Sequence, residues 1–403
     1  MQRFSREPAL SFSRYVSKSI AFVEPLGMRI ALDATSLTDQ PLRDETRSVI
    51  ALHRQLAIVR PQWEITALHR GDDAAAAQLA ALGLAPQRAR RSLFGPRFDF
   101  IHTPHGCIPS QRGEQSIVSI DHLNPIDAPC RLTVGDVVRF DRVVRSVTRR
   151  ADLIICPSAH HKQHLIDGYR VAPRRIRVVP QAVIEPVEFI VPLHWQEVLQ
   201  RYGLMRPIIL HYGSDETRRN TRRLIEAWAL ADRTVRAAAQ LVIVGVNEAS
   251  GKAIVDVVNR LGLSNSVRVF DRFAQPGDLS AMLSAADVAA IPTLSEGFPQ
   301  QLLQAWTTRT AVLTSDQGSL AEYAGEAAVK VDPNDPCAIA RGLGRLIKDA
   351  RHRLELKARG EAKLVNYTWR AAAERFARVI EEAAGVRSFP LAIEADEPLR
   401  RAA

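Results

Sequence analysis

Short apolar segments typical of buried β-strands alternate with helical segments over most of the chain, and this alternation limits the possible folds more than any other feature. A regular strand–helix alternation predicts parallel sheets covered by helices. The alternation runs twice, because residues 181–205, with Pro186, Pro192 and Trp195, interrupt it. The predicted strands are residues 28–33, 63–68, 98–102, 116–121, 152–156 and 176–180 in the first series, and 207–212, 241–245, 267–270, 288–291, 311–314 and 328–331 in the second. The sequence therefore predicts an α/β fold with two Rossmann-like, doubly wound domains that face a cleft.

The predicted domain organisation follows from this interruption and from the two ends of the chain. In chain order it is an N-terminal extension at 1–27, a first Rossmann-like domain at 28–190, a linker at 191–205, a second Rossmann-like domain at 206–386 and a tail at 387–403. Met28 opens the first strand and is a candidate for the true start of the protein. Ligands of doubly wound sheets bind at the carboxyl ends of the strands, so the polar loops that follow the strands are the candidate functional segments.

The charge of the chain allows more than one class of partner. The 403 residues carry a formal net charge of +10, from 54 Lys and Arg against 44 Asp and Glu. A generally basic, Arg-rich proteome explains this, and so does an enzyme at the inner membrane surface that acts on lipid-linked acceptors. No helix-turn-helix, zinc-finger or RNA-binding motif is present, so we predict no nucleic-acid partner. No segment reaches the roughly 18 apolar residues of a membrane span and no secretory leader is evident, so we expect a cytoplasmic protein.

The cysteines and histidines do not predict a metal site. Cys107, Cys130, Cys156 and Cys337 are widely separated and form no CxxC pair, which argues against a zinc ribbon and a disulfide framework. We expect buried free thiols. The histidines lack the HExxH spacing of a zinc protease. We therefore predict neither a metal ion nor a cofactor.

The first polar loop of the second series follows the strand at 207–212 and has the sequence Gly213-Ser-Asp-Glu-Thr-Arg-Arg-Asn. Arg218 and Arg219 come just before a helix, so guanidinium groups and free backbone amides meet on one side of the cleft. Arginine matches phosphate oxygens with paired hydrogen bonds, which favours a diphosphate ligand. A solvated basic helix start is the alternative. The residues that we predict to bind phosphate are Gly213, Ser214, Arg218, Arg219 and Asn220.

The strongest local pattern is Ile291-Pro-Thr-Leu-Ser-Glu-Gly-Phe-Pro-Gln-Gln-Leu-Leu-Gln-Ala. A buried strand leads into a polar loop with Glu296, Gly297 lets the backbone approach a ligand closely, and Pro299 fits the first turn of a helix. Gln304 follows about two helical turns after Glu296, so the pair can bind two ends of one ligand, such as a hexose and a ribose. The alternative is that Glu296 only interacts with the helix N-terminus.

Polar residues also follow other strands. Gly318 and Ser319 form a turn that we expect to face the same cleft, although helix capping alone also explains them. In the first series, His102, Asp121 and His122 lie at the ends of apolar strands and can reach the cleft. We predict a structural role for His102. For Asp121 and His122, functional and structural roles both stay open.

The order of these motifs resembles that of the family-four glycosyltransferases of group 1 type, which have two Rossmann-like domains in the GT-B arrangement. The resemblance covers residues 28–384. Ser295-Glu-Gly-Phe-Pro-Gln-Gln-Leu-Leu-Gln-Ala is similar to the family's E-x7-E motif in its EGFPxxLLEA form. Gly213-Ser-Asp-Glu-Thr-Arg-Arg-Asn is similar to its phosphate-binding G-[RS]-x4-K-N motif. Ala151-Asp-Leu-Ile-Ile-Cys-Pro-Ser and Tyr367-Thr-Trp also match.

The resemblance implies transfer of a sugar from a nucleotide donor, with retention and without a required metal. It implies that Glu296 contacts the sugar hydroxyls and that Arg219, assisted by Arg218, binds the diphosphate. It places acceptor recognition in the first domain. The implied site residues are Glu296, Asp121 and His122 for catalysis, and Gly213, Ser214, Arg218, Arg219, Asn220, Gly297, Phe298 and Gln304 for donor binding.

Four departures from the family pattern bear on activity. Gln304 replaces the second Glu of the E-x7-E motif, which keeps a hydrogen bond to a ribose but loses its charge-assisted part, worth about 1–2 kcal/mol. Arg219 replaces the usual Lys, so the charge is kept and the geometry changes. Ser36-Leu-Thr-Asp-Gln-Pro-Leu stands where the family has a Gly-Gly loop, and Asp121-His122 reverses the His-Asp order of many relatives.

The expected function is transfer of a hexose from a GDP- or UDP-sugar to a glycan or lipid-linked acceptor in surface polysaccharide synthesis. A mannose donor is the first expectation, because the phosphate motif resembles that of mannosyltransferases of polysaccharide assembly. The alternative is a catalytically weakened relative that acts as a binding or scaffolding protein. An NAD-dependent oxidoreductase is disfavoured, because Leu241-Val-Ile-Val-Gly-Val-Asn lacks the GxGxxG motif.

Overall fold

The computed structural model describes residues 27–35, 44–89, 97–104, 115–127, 133–184, 195–213, 217–246, 248–271 and 277–385. Four of the segments discussed above lie outside the described residues: the extension before Gly27, the loop at 36–42, Ser214 and the tail at 387–403.

The first sheet is built from the first half of the chain. In chain order its elements are β1 (Arg29–Asp33), α1 (Asp44–Val59), β2 (Glu64–His69), α2 (Asp73–Ala81), β3 (Pro86–Arg88), β4 (Phe100–Thr103), β5 (Gln115–Ser119), α3 (Asn124–Asp127), α4 (Val134–Arg150), β6 (Leu153–Cys156), α5 (Ala159–Tyr169), a 3-10 turn (Pro173–Arg175) and β7 (Ile176–Val178). Within the described residues these form seven parallel strands in the order β3-β2-β1-β4-β5-β6-β7.

The second sheet follows the same plan. Its elements are α6 (Trp195–Arg201), β8 (Ile208–Tyr212), a 3-10 turn (Thr217–Arg219), α7 (Thr221–Leu230), α8 (Arg233–Ala238), β9 (Gln240–Val244), α9 (Glu248–Arg260), β10 (Val267–Phe270), α10 (Asp278–Ala285), β11 (Val288–Ile291), α11 (Gln300–Thr307), β12 (Ala311–Ser315), α12 (Gly318–Ala324), β13 (Val329–Val331), α13 (Pro336–Lys348), α14 (Ala350–Lys363), a 3-10 turn (Leu364–Asn366) and α15 (Trp369–Ala383). The described residues give six parallel strands in the order β10-β9-β8-β11-β12-β13.

The strand order brings separate loops together. Strands of parallel sheets are apolar throughout because helices cover both faces, and all four residues of β11 are buried. The sheet order reverses between β1 and β4 in the first sheet and between β8 and β11 in the second. Loops diverge at such a switch point and leave a crevice at the carboxyl ends of the strands. The predicted α/β fold of two doubly wound domains is therefore confirmed.

The last helical stretch corrects the predicted bounds of the second domain. This stretch divides into α14 and α15, and the Thr368 hydroxyl caps α15 by accepting from the Ala371 N–H at 3.2 Å. Phe376 and Ile380 of α15 pack into the core of the first sheet, and α15 lies against α1. The chain thus crosses between the domains twice, because the apolar face of α15 covers the first sheet.

The predicted linker also needs correction. Its helix α6 buries Val198 and Leu199 against β8 and α10, so these residues belong to the core of the second domain. Of the cysteines in the described residues, Cys156 is buried as expected and Cys337 is exposed. Cys107 and Cys130 lie outside the described residues. The described part of the chain contains no helix that is both long and apolar enough to cross a membrane.

Candidate functional site

A cavity of about 360 Å³ lies between the two domains, at the carboxyl ends of β8 and β11. Residues of both domains line it. The predicted site residues on its wall are Asp121, His122, Arg218, Arg219, Glu296, Gly297, Phe298 and Gln304. The structure thus brings together eight predicted residues that come from three separate chain segments.

Glu296 and the two predicted phosphate-binding arginines are in direct contact. The Glu296 Oε2 atom accepts from Arg218 Nη1 at 3.0 Å and from Arg219 Nη1 at 2.9 Å. The three side chains are between 12% and 15% exposed, so solvent screens these ion pairs only in part. Two guanidinium groups face one carboxylate, which leaves a net positive charge among these three groups. This part of the cavity suits an anionic ligand.

Asn220 holds the arginine turn rather than lining the cavity. It is buried with a left-handed backbone (φ 63°), and its Nδ2 donates to the carbonyls of Pro292 at 2.9 Å and Pro333 at 2.6 Å. The Leu294 N–H in turn donates to the Arg218 carbonyl at 2.8 Å. These bonds fix the arginine turn to the loop of Glu296. The predicted donor-binding residue Asn220 thus lies outside the cavity wall, and in this structure its side chain positions the arginine turn.

Gly213 does not line the cavity either. A Cβ atom at this position would lie 3.1 Å from Ile243 Cγ2 and 3.1 Å from Thr221 Oγ1. Its N–H donates to the Val244 carbonyl at 2.8 Å. The glycine therefore serves the close packing at the end of β8.

The loop of Glu296 explains the glycine that follows it. A Cβ atom at Gly297 would lie 2.0 Å from the Asp121 carbonyl oxygen of the first domain. The close approach that requires glycine is thus to the other domain, and not only to a ligand as predicted. The Ser319 hydroxyl donates to the Glu296 carbonyl at 2.7 Å, so Ser319 supports the loop from α12. Phe298 is buried and packs edge-on against Tyr323, with ring centroids 5.2 Å apart.

The first-domain wall contains Asp121 and His122, which follow β5. Asp121 Oδ1 accepts from Gln181 Nε2 at 2.8 Å, and Gln181 also lines the cavity. The His122 ring stacks on Phe140 of α4, with centroids 6.1 Å apart and planes 5° apart. Gln181 was not among the predicted site residues, because a single glutamine after a short strand carries no pattern of its own.

His102 has the structural role that we predicted. Its Nδ1 lies 3.2 Å from His53 Nε2, and its Nε2 lies 2.7 Å from Ser119 Oγ. His53 Nδ1 lies 2.9 Å from the Val49 carbonyl, which can only accept, so Nδ1 carries the proton. Burial lowers the pKa of His53 to about 4, so the ring is neutral and its Nε2 accepts from His102. The chain of bonds ends with Ser119 donating to His102.

Helix α11 adds three glutamines to the cavity wall, of which we predicted one. Gln304 donates from Nε2 to the Ile184 carbonyl at 3.2 Å. Gln300 is bonded to the same segment, and Gln301 donates to the Tyr212 carbonyl at 3.4 Å. Gln300 and Gln301 lie within the predicted motif, but nothing in the sequence indicated that they would line the cavity.

Contacts beside the cavity hold the two domains together. The Glu322 carboxylate accepts from the N–H groups of Ala159 at 2.9 Å and His160 at 3.0 Å, at the N-terminus of α5. The Tyr323 hydroxyl donates to the Pro157 carbonyl. The Ser295 hydroxyl lies 3.1 Å from the Asn124 Oδ1 atom. Among the described residues no group of three His, Cys, Asp or Glu side chains is placed to hold a metal ion.

Comparison with known proteins adds matches on both halves of the chain. The family model "Glycosyl transferases group 1" matches residues 200–363, and "Glycosyltransferase Family 4" matches residues 67–184. A serotype-specific mannosyltransferase, WbdA of Escherichia coli, is 29% identical over 241 residues, which are 58% of this chain and 29% of that protein. O-antigen chain mannosyltransferase B of Escherichia coli is 25% identical over 288 residues, 71% of this chain and 75% of that protein. The crystal structure of Anabaena Alr3699/HepE in complex with UDP-glucose superposes with a TM-score of 0.64 at 15% identity, over 88% of this chain and 100% of that one.

The two facing Rossmann-like domains and the cavity between them define a protein of the GT-B type. Models of two glycosyltransferase families match the second and the first half of the chain, and the resemblance to group 1 glycosyltransferases inferred from its motifs is confirmed. The structural likeness at 15% identity shows the fold alone. The chain spans less than a third of the length of WbdA and three quarters of that of mannosyltransferase B.

Proposed function

We propose that this chain transfers a hexose from a nucleotide sugar to a glycan or lipid-linked acceptor, with retention at the anomeric carbon. The observation that carries the proposal is the meeting of Glu296 with Arg218 and Arg219 on the wall of the cavity between the domains. Paired guanidinium groups suit a diphosphate, and a carboxylate suits sugar hydroxyls. A volume of about 360 Å³ is within the usual range for a small-molecule site.

Donor binding exchanges partners within this cluster. The diphosphate offers more acceptor oxygens than a single carboxylate, so it takes Arg218 and Arg219 from Glu296. The released Glu296 then accepts from sugar hydroxyls. When the nucleoside diphosphate departs, the two arginines stabilise the charge that develops on it. The arginines supply this charge themselves, so the proposal includes no metal ion and no cofactor.

The first-domain wall is proposed to receive the acceptor. A phosphate oxygen of the donor can take the proton of the acceptor hydroxyl, so the reaction needs no strong protein base. Asp121 and His122 then orient the acceptor, and Gln181 holds the Asp121 carboxylate by its hydrogen bond of 2.8 Å.

The donor proposed first is GDP-mannose. Support comes from the names of two relatives, since WbdA and O-antigen chain mannosyltransferase B are both called mannosyltransferases. UDP-sugars stay in the test panel because HepE was solved with UDP-glucose. The name of the O-antigen relative supports the proposed acceptor class and a role in surface polysaccharide synthesis.

The test uses the purified full chain with a panel of GDP- and UDP-sugars. Calorimetry measures donor binding, and radiolabelled sugar measures hydrolysis or transfer to a panel of acceptors. We expect Glu296→Ala and Arg219→Ala to lose transfer. Full activity in both variants would contradict the proposal. Tight binding without transfer over a broad acceptor panel would favour a binding or scaffolding protein instead.

Helix α4 supports a further part of the proposal, peripheral association with an anionic membrane. The structure exposes Val134 to 81% and Val138 to 48%. A helix face that combines arginines with apolar side chains suits an anionic bilayer surface. The exposed arginines of this helix are Arg139, Arg142, Arg145, Arg149 and Arg150.

Vesicle co-sedimentation tests this surface. We expect the chain to sediment with vesicles that contain phosphatidylglycerol and to stay in solution with phosphatidylcholine alone. The double variant Arg142→Glu and Arg149→Glu is expected to lose the interaction. Its matched control, Arg222→Glu with Arg351→Glu, changes two exposed arginines of the second domain. Equal loss in both double variants would remove α4 from the proposal.

A further inference from the structure

The two chain crossings between the domains meet beside helix α11. The first crossing leaves the first domain through residues 182–184, here called the crossing segment, and the second returns through Tyr367. The Val183 N–H donates to the Tyr367 carbonyl at 3.2 Å, so the two crossings are bonded to each other. A movement of one domain against the other would therefore affect both crossings together.

Two glutamines one helical turn apart on α11 hold the crossing segment by its backbone. Gln300 donates from Nε2 to the Ala182 carbonyl at 2.9 Å and accepts at Oε1 from the Ile184 N–H at 2.9 Å. Gln304 donates from Nε2 to the Ile184 carbonyl at 3.2 Å. The crossing segment thus has three backbone polar groups bonded to side chains of the same helix that follows the loop of Glu296.

Gln304 also faces the cavity. It lines the cavity wall, and its Oε1 accepts no hydrogen bond from the part of the chain that the structure describes. An amide can donate from nitrogen and accept at oxygen at the same time. A carboxylate has no donor at neutral pH, so a glutamate here would place an anionic oxygen against the Ile184 carbonyl oxygen. The contact to Ile184 therefore requires an amide.

We propose that Gln304 is a positioning residue that links donor binding to the crossing segment, by donating to the Ile184 carbonyl while its Oε1 accepts from a hydroxyl of the bound nucleotide sugar. The inference rests on the proposed function and adds a connection between the donor and the interdomain crossing. The bound nucleotide sugar holds the Gln304 amide in place, and the amide in turn holds the Ile184 carbonyl. It follows that Gln304→Glu, which restores the residue of the E-x7-E motif, lowers activity.

Two substitutions at the same position separate the parts of this proposal. Gln304→Met keeps the length of the side chain and removes the amide that forms both hydrogen bonds, so the KM for the nucleotide sugar is expected to rise about tenfold. Gln304→Glu adds like-charge repulsion against the carbonyl and is expected to raise this KM further. The control is Gln301→Glu, because Gln301 lies on the same helix and the same cavity wall but is bonded to Tyr212 within the second domain. It reports the effect of a new charge in the cavity alone.

Hydrogen exchange gives a readout that does not depend on turnover. In the wild-type full chain, saturating GDP-mannose, or the nucleotide sugar that binds best, is expected to slow exchange at the Val183 and Ile184 N–H groups. Gln304→Met is expected to lose this donor-dependent slowing even at saturation, and Gln301→Glu to keep it. A residue that only stabilises the fold would change exchange equally with and without donor.

The outcomes are distinct. Donor affinity and turnover in Gln304→Glu equal to or better than wild type would overturn the inference, as would full donor-dependent slowing in Gln304→Met. Gln304→Leu also lacks the amide and gives a second variant if Gln304→Met does not fold; full donor-dependent slowing in it counts against the inference in the same way. Wild-type chain that binds no GDP- or UDP-sugar would overturn the proposed function itself, before any variant is needed.

Discussion

The two walls of the cavity differ in how they are built. On the second-domain wall, Glu296, Arg218 and Arg219 come from two continuous motifs and bond to each other. On the first-domain wall, Asp121 follows β5 and Gln181 follows β7, and the two residues meet only in the folded chain. The second-domain wall is therefore self-contained, whereas the first-domain wall depends on tertiary assembly.

The two walls also depend on each other at a few close contacts. The Gly297 backbone approaches the Asp121 carbonyl so closely that no Cβ atom fits, and Glu322 bonds to the N-terminus of α5. A substitution can therefore change the second-domain wall locally. The first-domain wall is also affected by a change in the distance between the domains.

Acid is expected to destabilise both domains, because each contains a buried histidine whose pKa is lowered. Burial lowers the pKa of both His53 and His211 to about 4. The pKa of an unfolded histidine is about 6.5, so between pH 6.5 and 4 the unfolded chain binds more protons than the folded one. The free energy of unfolding is expected to fall as the pH drops through this range, by about 3 kcal/mol per histidine. Urea denaturation at several pH values measures it.

The same denaturation curves sharpen the comparison between the domains. His53 is bonded to the Val49 carbonyl of the first domain, and His211 to the Ala290 carbonyl of the second. Intrinsic fluorescence of variants with single tryptophans would show which domain unfolds first at pH 4.5. A free energy of unfolding that stays constant from pH 6.5 to 4 would contradict the burial of both rings in neutral form.

Gly297→Ala is expected to break the contact between the walls. The new methyl group would lie 2.0 Å from the Asp121 carbonyl oxygen, so the domains must move apart. Misplacement of reacting groups by about 1 Å can cost about 100-fold in rate, and we expect kcat/KM to fall by that order. Transfer kinetics and small-angle scattering check the two effects. In the control Gly344→Ala, the new methyl would meet Val235 Cγ2 at an ordinary 3.9 Å, so its kcat/KM is expected to stay at the wild-type value. An equal loss of kcat/KM in both variants would refute the contact argument.

Arg219→Ala changes only the second-domain wall of the cavity. It removes a charge-assisted hydrogen bond to the proposed diphosphate, worth roughly 2 kcal/mol, so the Kd for the nucleotide sugar is expected to rise about 30-fold. Arg219→Lys keeps the charge but cannot form paired hydrogen bonds, so its Kd should lie between those of the wild type and Arg219→Ala. Calorimetry with the nucleoside diphosphate alone measures the effect. Arg222→Ala, an exposed arginine paired with Glu226, is the control and should bind as wild type does.

Gln181→Leu disturbs the first-domain wall alone and has the smallest expected effect. It removes the hydrogen bond of 2.8 Å to the Asp121 carboxylate. One such bond contributes about 1 kcal/mol, so acceptor kcat/KM is expected to fall about fivefold while donor Kd stays the same. An increase in donor Kd instead would show that the two walls are not separable in this way.

The elements that the sequence predicted well are those whose pattern is local. All of the predicted strands are present, because short apolar segments between polar loops suit a parallel sheet. Glu296, Arg218 and Arg219 meet as the motifs suggested. The sequence could not show that the Asn220 amide bonds to Pro292 and Pro333, because these residues lie far away in the chain.

The sequence by itself determined two doubly wound domains and the charged groups of the second-domain wall, since hydrophobic periodicity and contiguous motifs encode both. Only the tertiary structure decided that α15 returns to the first sheet, that Gly297 serves the approach of the domains, and that Gln304 donates to the Ile184 carbonyl. Each of these rests on a distance between segments far apart in the chain. A local pattern specifies which groups a segment offers, and packing specifies which partner each group meets.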